Sequence, residues 1–600
     1  MNLTSINESA RAGRAPYRSR QAQPSLIFAL AMLSCAAFAA DWTGNAGNFQ
    51  LDDAANWSAT PTTNTWCYVK TRPAQPFTVG GDGDYFGGAM LRYTGSFAAT
   101  NDFGTGVALT NVGLKAESAV HVESGAKLVQ KSGGIRGFKG TKYDGTYISN
   151  NSSFTLDGAD AWFEQETGSF TLRSTVSGNT VFPNLFVTNG ASLTVGDSLN
   201  IGGGEKNVSA YVCAAGEGTR VEANYVSIGV RANTPEKAIT NLLVIADSAT
   251  AAGNRVAVGW GSSFAACEVM GGTMTISEWM TVGSRVASAS NCWVRVCSGG
   301  TFTNQGTTVI GRAEAGNCAR VVVSGEGSSF VGKNITAVTG GVFRVEGGGA
   351  VTLQEALSLQ NARIEASGSG SDFSVSKDVT ARGTNVTFSA TDGASITVPR
   401  LSAQNVVVEG ALNYNRIYTE VKGGELVFTN ATVSGTRIEM TEASTIRLYN
   451  THLTIPSGIF MMGDASGGNA GNNANERHVY VGGTDTWVRV TQDNGFYVRG
   501  SNTTIHVEIP AEGFSKAHPV FDLPRISFES SRHVRIAVTV DPKLVGKGGS
   551  YWLFRTSTDE SCHSVGIDWI YDPEIIDIDK SVSKELHIRV KQRGVTVIVR

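Results

Sequence analysis

Apolar and polar residues alternate along this chain in short bursts, and the bursts recur. "GGTMTISEWMTVGS" at 271–284 is written again as "GGTFTNQGTTVIGR" at 299–312. Gly271-Gly272-Thr273 matches Gly299-Gly300-Thr301, Met274 matches Phe302, Thr275 matches Thr303, and Val282-Gly283 matches Ile310-Gly311, while Glu278 and Trp279 are not kept. A repeat that keeps its glycines and alternation while its charged and aromatic positions drift is selected for shape. Period-two alternation predicts strands buried on one side. Glycine at the ends of each unit predicts corners that turn at positive φ without a Cβ clash.

The layout extends to "NGASLTVGDSLNIGG" (189–203), "EGTRVEANYVSIGV" (217–230) and "RVAVGWG" (255–261). Its closing glycines are Gly202, Gly229, Gly259, Gly283 and Gly311, separated by 27, 30, 24 and 28 residues, which falls at the short end of the range for repeat architectures. A propeller blade needs about 40–45 residues and four strands, so a shorter unit of two or three strands predicts one coil of a parallel β-helix. Met274 and Phe302 then point inward and stack on neighbours about 4.8 Å along the axis, with Thr273 and Thr301 outside. Looser copies lie at 119–130, 153–164, 341–353, 385–398 and 424–435. The expected fold class is all-β: a right-handed parallel β-helix (solenoid) over residues 116–502. An N-terminal cap region (40–115) rich in Trp and a small C-terminal β-rich module (503–600) flank it. "DASGGNAGNNANERH" (464–478) has no apolar periodicity and predicts a loop.

Composition sharpens this reading. The 600 residues include 71 Gly and only 14 Pro, and 17% are charged, against roughly 25% in typical globular domains. The formal charge is −3, and no basic stripe with interleaved aromatics is visible, which argues against nucleic acid as a partner. Arg11, Arg14, Arg18 and Arg20 precede an apolar run from Leu26 to Ala37, and Ala37 and Ala39 suit the −3 and −1 positions of a cleavage site. Residues 1–39 are therefore expected to be a secretory signal peptide. Cys35 follows Met32-Leu33-Ser34, a poor lipobox. No later apolar run reaches about 18 residues, so no transmembrane helix is expected in the mature chain. The last strand ends on Arg600 rather than an aromatic, which argues against a C-terminal membrane barrel.

At the expected mature N-terminus, "DWTGNAGNFQLDDAANWSATP" carries Trp42, Gly44, Asn56 and Trp57. This opening resembles the W-x-G…NW start of secreted bacterial proteins built from autotransporter-associated β-strand repeats, and the glycine-rich units resemble passenger-type β-solenoids. The resemblance implies export from a Gram-negative bacterium and an adhesin-like surface role. It implies no catalytic residue.

Candidate chemistry is sparse. Asp157 with Asp160, and Glu164 with Glu166 beside Trp162, are the best carboxylate candidates for a β-helix lyase or hydrolase. The competing reading is a solvated outer face. "VGGDGDYFGG" (79–88) resembles a Ca²⁺-binding nonapeptide, but Tyr85 stands where the ligand Asp belongs, so Asp82 and Asp84 read as a tight loop. The eight His (121, 452, 478, 506, 518, 533, 563, 587) show no compact ligand spacing. Cys562 and His563 are adjacent, so on a strand they would face opposite ways. "GKGGS" (546–550) lacks the phosphate-loop spacing and reads as a turn. "NCWVRVCSGG" and "NCARVVVSGE" align and set Cys292 over Cys318, which either form a disulfide or stack as buried thiols. No metal or cofactor is expected.

These signals lead to a secreted, surface-associated solenoid that acts without catalysis as an adhesin-like binding or scaffold protein, with cell-surface glycans or other extracellular material as partners. The alternatives are a carbohydrate-active β-helix enzyme and a passive structural spacer.

Overall fold

The computed structural model describes residues 39–592 outside breaks at 80–89, 111–119, 138–144, 231–240, 284–290, 312–318, 463–474 and 558–566 and several shorter ones. All of the expected signal peptide but Ala39, together with Asp82, Asp84, Cys318, His533, Cys562 and His563, lies outside the described residues, as does most of the segment 464–478 expected to be a loop. The chain is nearly all β, 67% strand and 1% helix, in one long open parallel sheet.

Three short strands make each coil, and each pairs in parallel with its counterpart one coil away. The first face runs through Asn184–Thr188, Tyr211–Ala215, Asn241–Ala246, Ala265–Met270, Trp293–Cys297 and Arg320–Ser324. The other two faces share longer, bent strands. In Thr273–Val282, residues 273–276 pair along the second face and 279–282 along the third, with Ser277 and Glu278 at the bend between them.

Register follows the sequence alignment here: Thr273, Met274, Thr275 and Val282 are the Cα partners of Thr301, Phe302, Thr303 and Ile310. Met274 and Phe302 are buried and Thr273 is exposed. The interior ladder continues from Phe302 to Phe330, rings 5.3 Å apart and nearly parallel, then to Phe343 and Phe373 in edge-to-face contacts of 5.2 and 5.4 Å. Each buried aromatic contributes about 1.5–3 kcal/mol of apolar burial, so the core is a column built of like increments.

The corners rest on two devices. The closing glycines Gly202, Gly229, Gly259, Gly283 and Gly311 all have positive φ. A Cβ on Gly311 would come within 2.8 Å of the Val338 carbonyl oxygen, so that corner needs glycine for space as well. Elsewhere asparagine turns the chain: Asn150, Asn361, Asn405 and Asn450 are left-handed, and their side-chain oxygens accept from the backbone N–H of Thr175, Thr384, Glu425 and Thr484 in the next coil. Asn tolerates this backbone region and supplies the acceptor.

Parallel pairing already begins at Ala39–Asp41, whose partners are Trp66, Cys67 and Tyr68. Near this start Trp42 meets Trp57 and Phe77 edge to face at 5.3 and 4.8 Å, and the Trp57 indole donates to the Leu51 carbonyl. Parallel pairing also crosses residue 502, running from Val479 to Ile505, Ile536 and Trp569. The pattern changes where Lys547–Thr556 pairs antiparallel with Glu585–Gln592, which also pairs antiparallel with Ile576–Asp579. This turn-back gives the last coil of the second face a partner, with Phe521 stacked on Phe554, so that sheet edge is not left as a template for another chain.

Candidate functional site

The three outer faces differ in chemistry. The second face presents rows of small hydroxyls, Thr250, Thr273, Thr301 and Ser329 in one row, followed far downstream by Asp522 clasped between Arg489 at 3.5 Å and Arg555 at 2.5 Å. The third face holds a packed ladder near the N-terminus. His121 lies 4.9 Å from Trp66 and 5.0 Å from Tyr147, Arg92 lies over Trp66, and Arg173 lies 3.5 Å over Tyr147. His121 and Tyr147 are buried there, so this ladder cements coils together.

The first face is where apolar surface meets solvent. Among the described residues the exposed large apolar side chains are Phe182, Met270, Val407, Tyr449 and Ile570. Phe182 leads into a first-face strand, and the other four stand on first-face strands. Three described cavities also lie along this face, of about 480, 390 and 310 Å³.

The 310 Å³ cavity is built by two outward rows. Arg447, Tyr480 and His506 are successive Cα partners in the first row. The Arg447 guanidinium sits 4.0 Å over the Tyr480 ring, and Tyr480 stacks on His506 with centroids 4.1 Å apart and planes 6° from parallel. Arg447 is anchored from behind by Glu425, and the rings of His506 and His478 meet at 3.2 Å between Nε2 and Nδ1. In the second row Tyr449, Gly482 and Glu508 follow one another. Gly482 leaves a notch: a Cβ there would meet the Glu508 carboxylate at 3.2 Å and the Tyr449 ring at 3.5 Å. Tyr449 is half exposed beside the notch. Burial, the neighbouring His478 and the Arg447 charge hold the His506 pKa below its ordinary value. The imidazole is therefore neutral at pH 7 and able both to donate and to accept. An exposed aromatic beside a notch, flanked by a carboxylate, a guanidinium and a neutral imidazole, can take an apolar ring face with hydroxyls around its rim.

The carboxylates singled out from sequence do not converge. Asp157 ends the first-face strand Ser153–Asp157 and accepts from Asn189 at 2.6 Å and Thr188 at 3.1 Å. Glu164 lies around the corner on the second face, paired with Arg136 at 3.1 Å, and Arg136 also lies over Trp162. Asp160 and Glu166 sit outside the strands that carry Asp157 and Glu164. Among the described residues no group of three or more His, Cys, Asp or Glu could hold a metal, and no helix is long and apolar enough to cross a membrane.

Cys292 is buried at the start of its coil. Trp293 pairs with Arg320, one position further along than the letters align, so the ladder extended back one residue sets Cys292 beside Ala319. The other histidines take separate places. His452 stacks on Trp487 and contacts Asp485 at 2.9 Å, while His587 contacts Asp579 at 2.9 Å and stacks on Trp552.

Arg447, Tyr449, Tyr480, Gly482 and Glu508 escaped the sequence reading, in which His506 stood only as one of eight scattered histidines. The step from Arg447 to Tyr480 is longer than the step from Tyr480 to His506, so no single period aligns the three. The clue was available in the alternation of "STIRLY", "RHVYVG" and "TTIHVEI", aligned on their apolar positions.

No family model, no characterised protein and no solved structure matches this chain.

Proposed function

We propose that the chain is an exported, surface-associated β-solenoid that acts without catalysis as an adhesin-like binding protein, holding glycan along its first face. The observation that carries this reading is the Tyr449–Gly482–Glu508 notch on the first face, where a half-exposed aromatic stands beside a carboxylate, a guanidinium and an imidazole in one cavity. Its open form and mixed aromatic and polar lining suit an extended polyhydroxylated ligand better than a small enclosed substrate. The separation of Asp157 from Glu164 onto different faces argues against a two-carboxylate hydrolase at that position. The N-terminal resemblance to autotransporter-associated repeats supports a cell-surface location in a Gram-negative bacterium, reached after removal of residues 1–39.

The test is to incubate residues 40–600 with a polysaccharide panel and measure retention together with newly released reducing or unsaturated ends. Retention without released ends is expected. Released ends would establish an enzyme instead, and neither signal would leave a structural spacer.

A further inference from the structure

The two larger first-face cavities lie upstream of the notch and have a different character. Four consecutive coils, Trp293–Cys297, Arg320–Ser324, Val342–Glu346 and Arg363–Ser367, each present one arginine outward. Arg320 and Arg363 stand in one row with Val342 between them, and Arg295 and Arg344 stand in the adjacent row with Val322 between them. The result is a zigzag of guanidinium groups up the face. Both cavities include Arg344, Arg363 and Glu365, so they form one continuous groove.

Only one of these cations is neutralised by a carboxylate among the described residues. Arg344 donates through Nε at 2.9 Å and Nη2 at 2.6 Å to a single oxygen of Glu365. Arg295, Arg320 and Arg363 are exposed and have no ion-pair partner among the described residues. In a chain of formal charge −3, three unpaired guanidinium groups in three of four successive coils are not a reflection of general basicity.

We infer that this arginine zigzag is a subsite for the acid groups of a linear acidic polysaccharide lying along the stack axis. The inference rests on the glycan-binding reading above and narrows its ligand class. Arginine offers a rigid fork that matches a carboxylate through two parallel hydrogen bonds. Arg320 and Arg363 are two coils apart, about 9.6 Å at the usual strand spacing. That spacing is sparse beside a nucleic acid strand, with its charge every ~3.4 Å, and suits a polymer whose acid groups are separated by whole sugar rings. The groove supplies what such rings need: Thr339, Asn361, Thr384 and Ser389 line it with hydroxyl and amide groups, while Glu346 and Glu409 line the end away from Arg320. Trp293 heads the Arg320 row, its indole N–H directed to Glu268 at 3.3 Å, and offers a flat apolar surface for a sugar face.

The test uses the full mature chain with alginate, carboxyl-reduced alginate and a single-stranded oligonucleotide as probes. Alginate is expected to bind at least tenfold more tightly than its carboxyl-reduced form, and more weakly as salt rises. The double variant Arg320→Ala/Arg363→Ala should lose at least tenfold in alginate affinity with an unchanged thermal midpoint. Arg320→Lys/Arg363→Lys should keep the salt dependence while losing part of the affinity. Equal binding of the two polymers, or alginate binding untouched by the alanine pair, would overturn the acid-group subsite while leaving a glycan-binding face. Preference for the oligonucleotide would overturn it in favour of nucleic acid. Retention of neither polymer nor any member of the neutral panel would remove both readings together.

Discussion

Tyr480 and His506 stand in adjacent coils with their rings 4.1 Å apart and 6° from parallel, and Arg447 covers the other side of Tyr480. The stack places a titratable ring in line with a permanent cation, and burial with the His478 and Arg447 neighbours keeps its pKa low. Because the folded pKa lies below the unfolded value of about 6.5, the unfolded chain binds more protons between the two. The contribution of His506 is thus fully present above the unfolded value and is lost as pH falls through the folded pKa. NMR titration should place His506 below the ordinary histidine value, and His506→Gln should flatten the fall in stability on acidification.

Tyr449 is expected to contribute binding and little stability, since half of it faces solvent beside the Gly482 notch. Tyr449→Ala should weaken retention of a bound polysaccharide by about tenfold, the scale of one well-placed contact residue, with the denaturation midpoint unchanged. Gly482→Ala should weaken binding as well, because its methyl group enters the notch. Affinity electrophoresis of the three proteins against the panel checks both.

Phe330 bridges two parts of the interior column, stacked on Phe302 and edge-on to Phe343. Phe330→Ala should destabilise the surrounding coils by about 3–5 kcal/mol. Each coil leans chiefly on its neighbours, so the loss should appear as local opening around 302–343 in hydrogen exchange before global unfolding.

Arg477 is fully buried, and it donates to the carbonyls of Met440, Thr441 and Asn475. Arg477→Leu keeps the apolar bulk and removes the donors, which leaves those carbonyls short of partners. A loss of about 3 kcal/mol or more is expected from chemical denaturation, since each buried unsatisfied group costs about 1–3 kcal/mol.

Asn361 holds a left-handed corner and accepts from the Thr384 N–H at 2.6 Å. Asn361→Ala removes the acceptor and adds backbone strain, for a combined loss of about 2–3 kcal/mol. Asn361→Gly relieves the strain and should recover part of it, a difference readable from paired melts.

The sequence by itself determined the coil. Alternation in "TMTI" and "TFTN" set which side chains face inward, and one residue of slip would have reversed every one of them. That is why Met274 and Phe302 meet as their letters align. Glycines at the closing corners were equally legible, because only a residue without Cβ fits Gly311. Cys292 shows where letters mislead: matching Cys to Cys puts the register one position short of the hydrogen-bonded ladder, in which Trp293 faces Arg320.

What only the tertiary structure decided is which polar side chains share a face. Outward residues are under no packing constraint, so nothing in the local pattern distinguishes Arg320, Arg447 or His506 from any solvated position. The number of residues separating one coil's strand from the next varies, which hides the register from the sequence. Stacking then brought Arg447, Tyr480 and His506 into contact across two unequal steps of chain and drew Arg320, Arg344 and Arg363 into one groove. The same stacking carried Asp157 and Glu164, near neighbours in sequence, to different faces. Burial wrote the fold into the chain, and the alignment of coils made the surface.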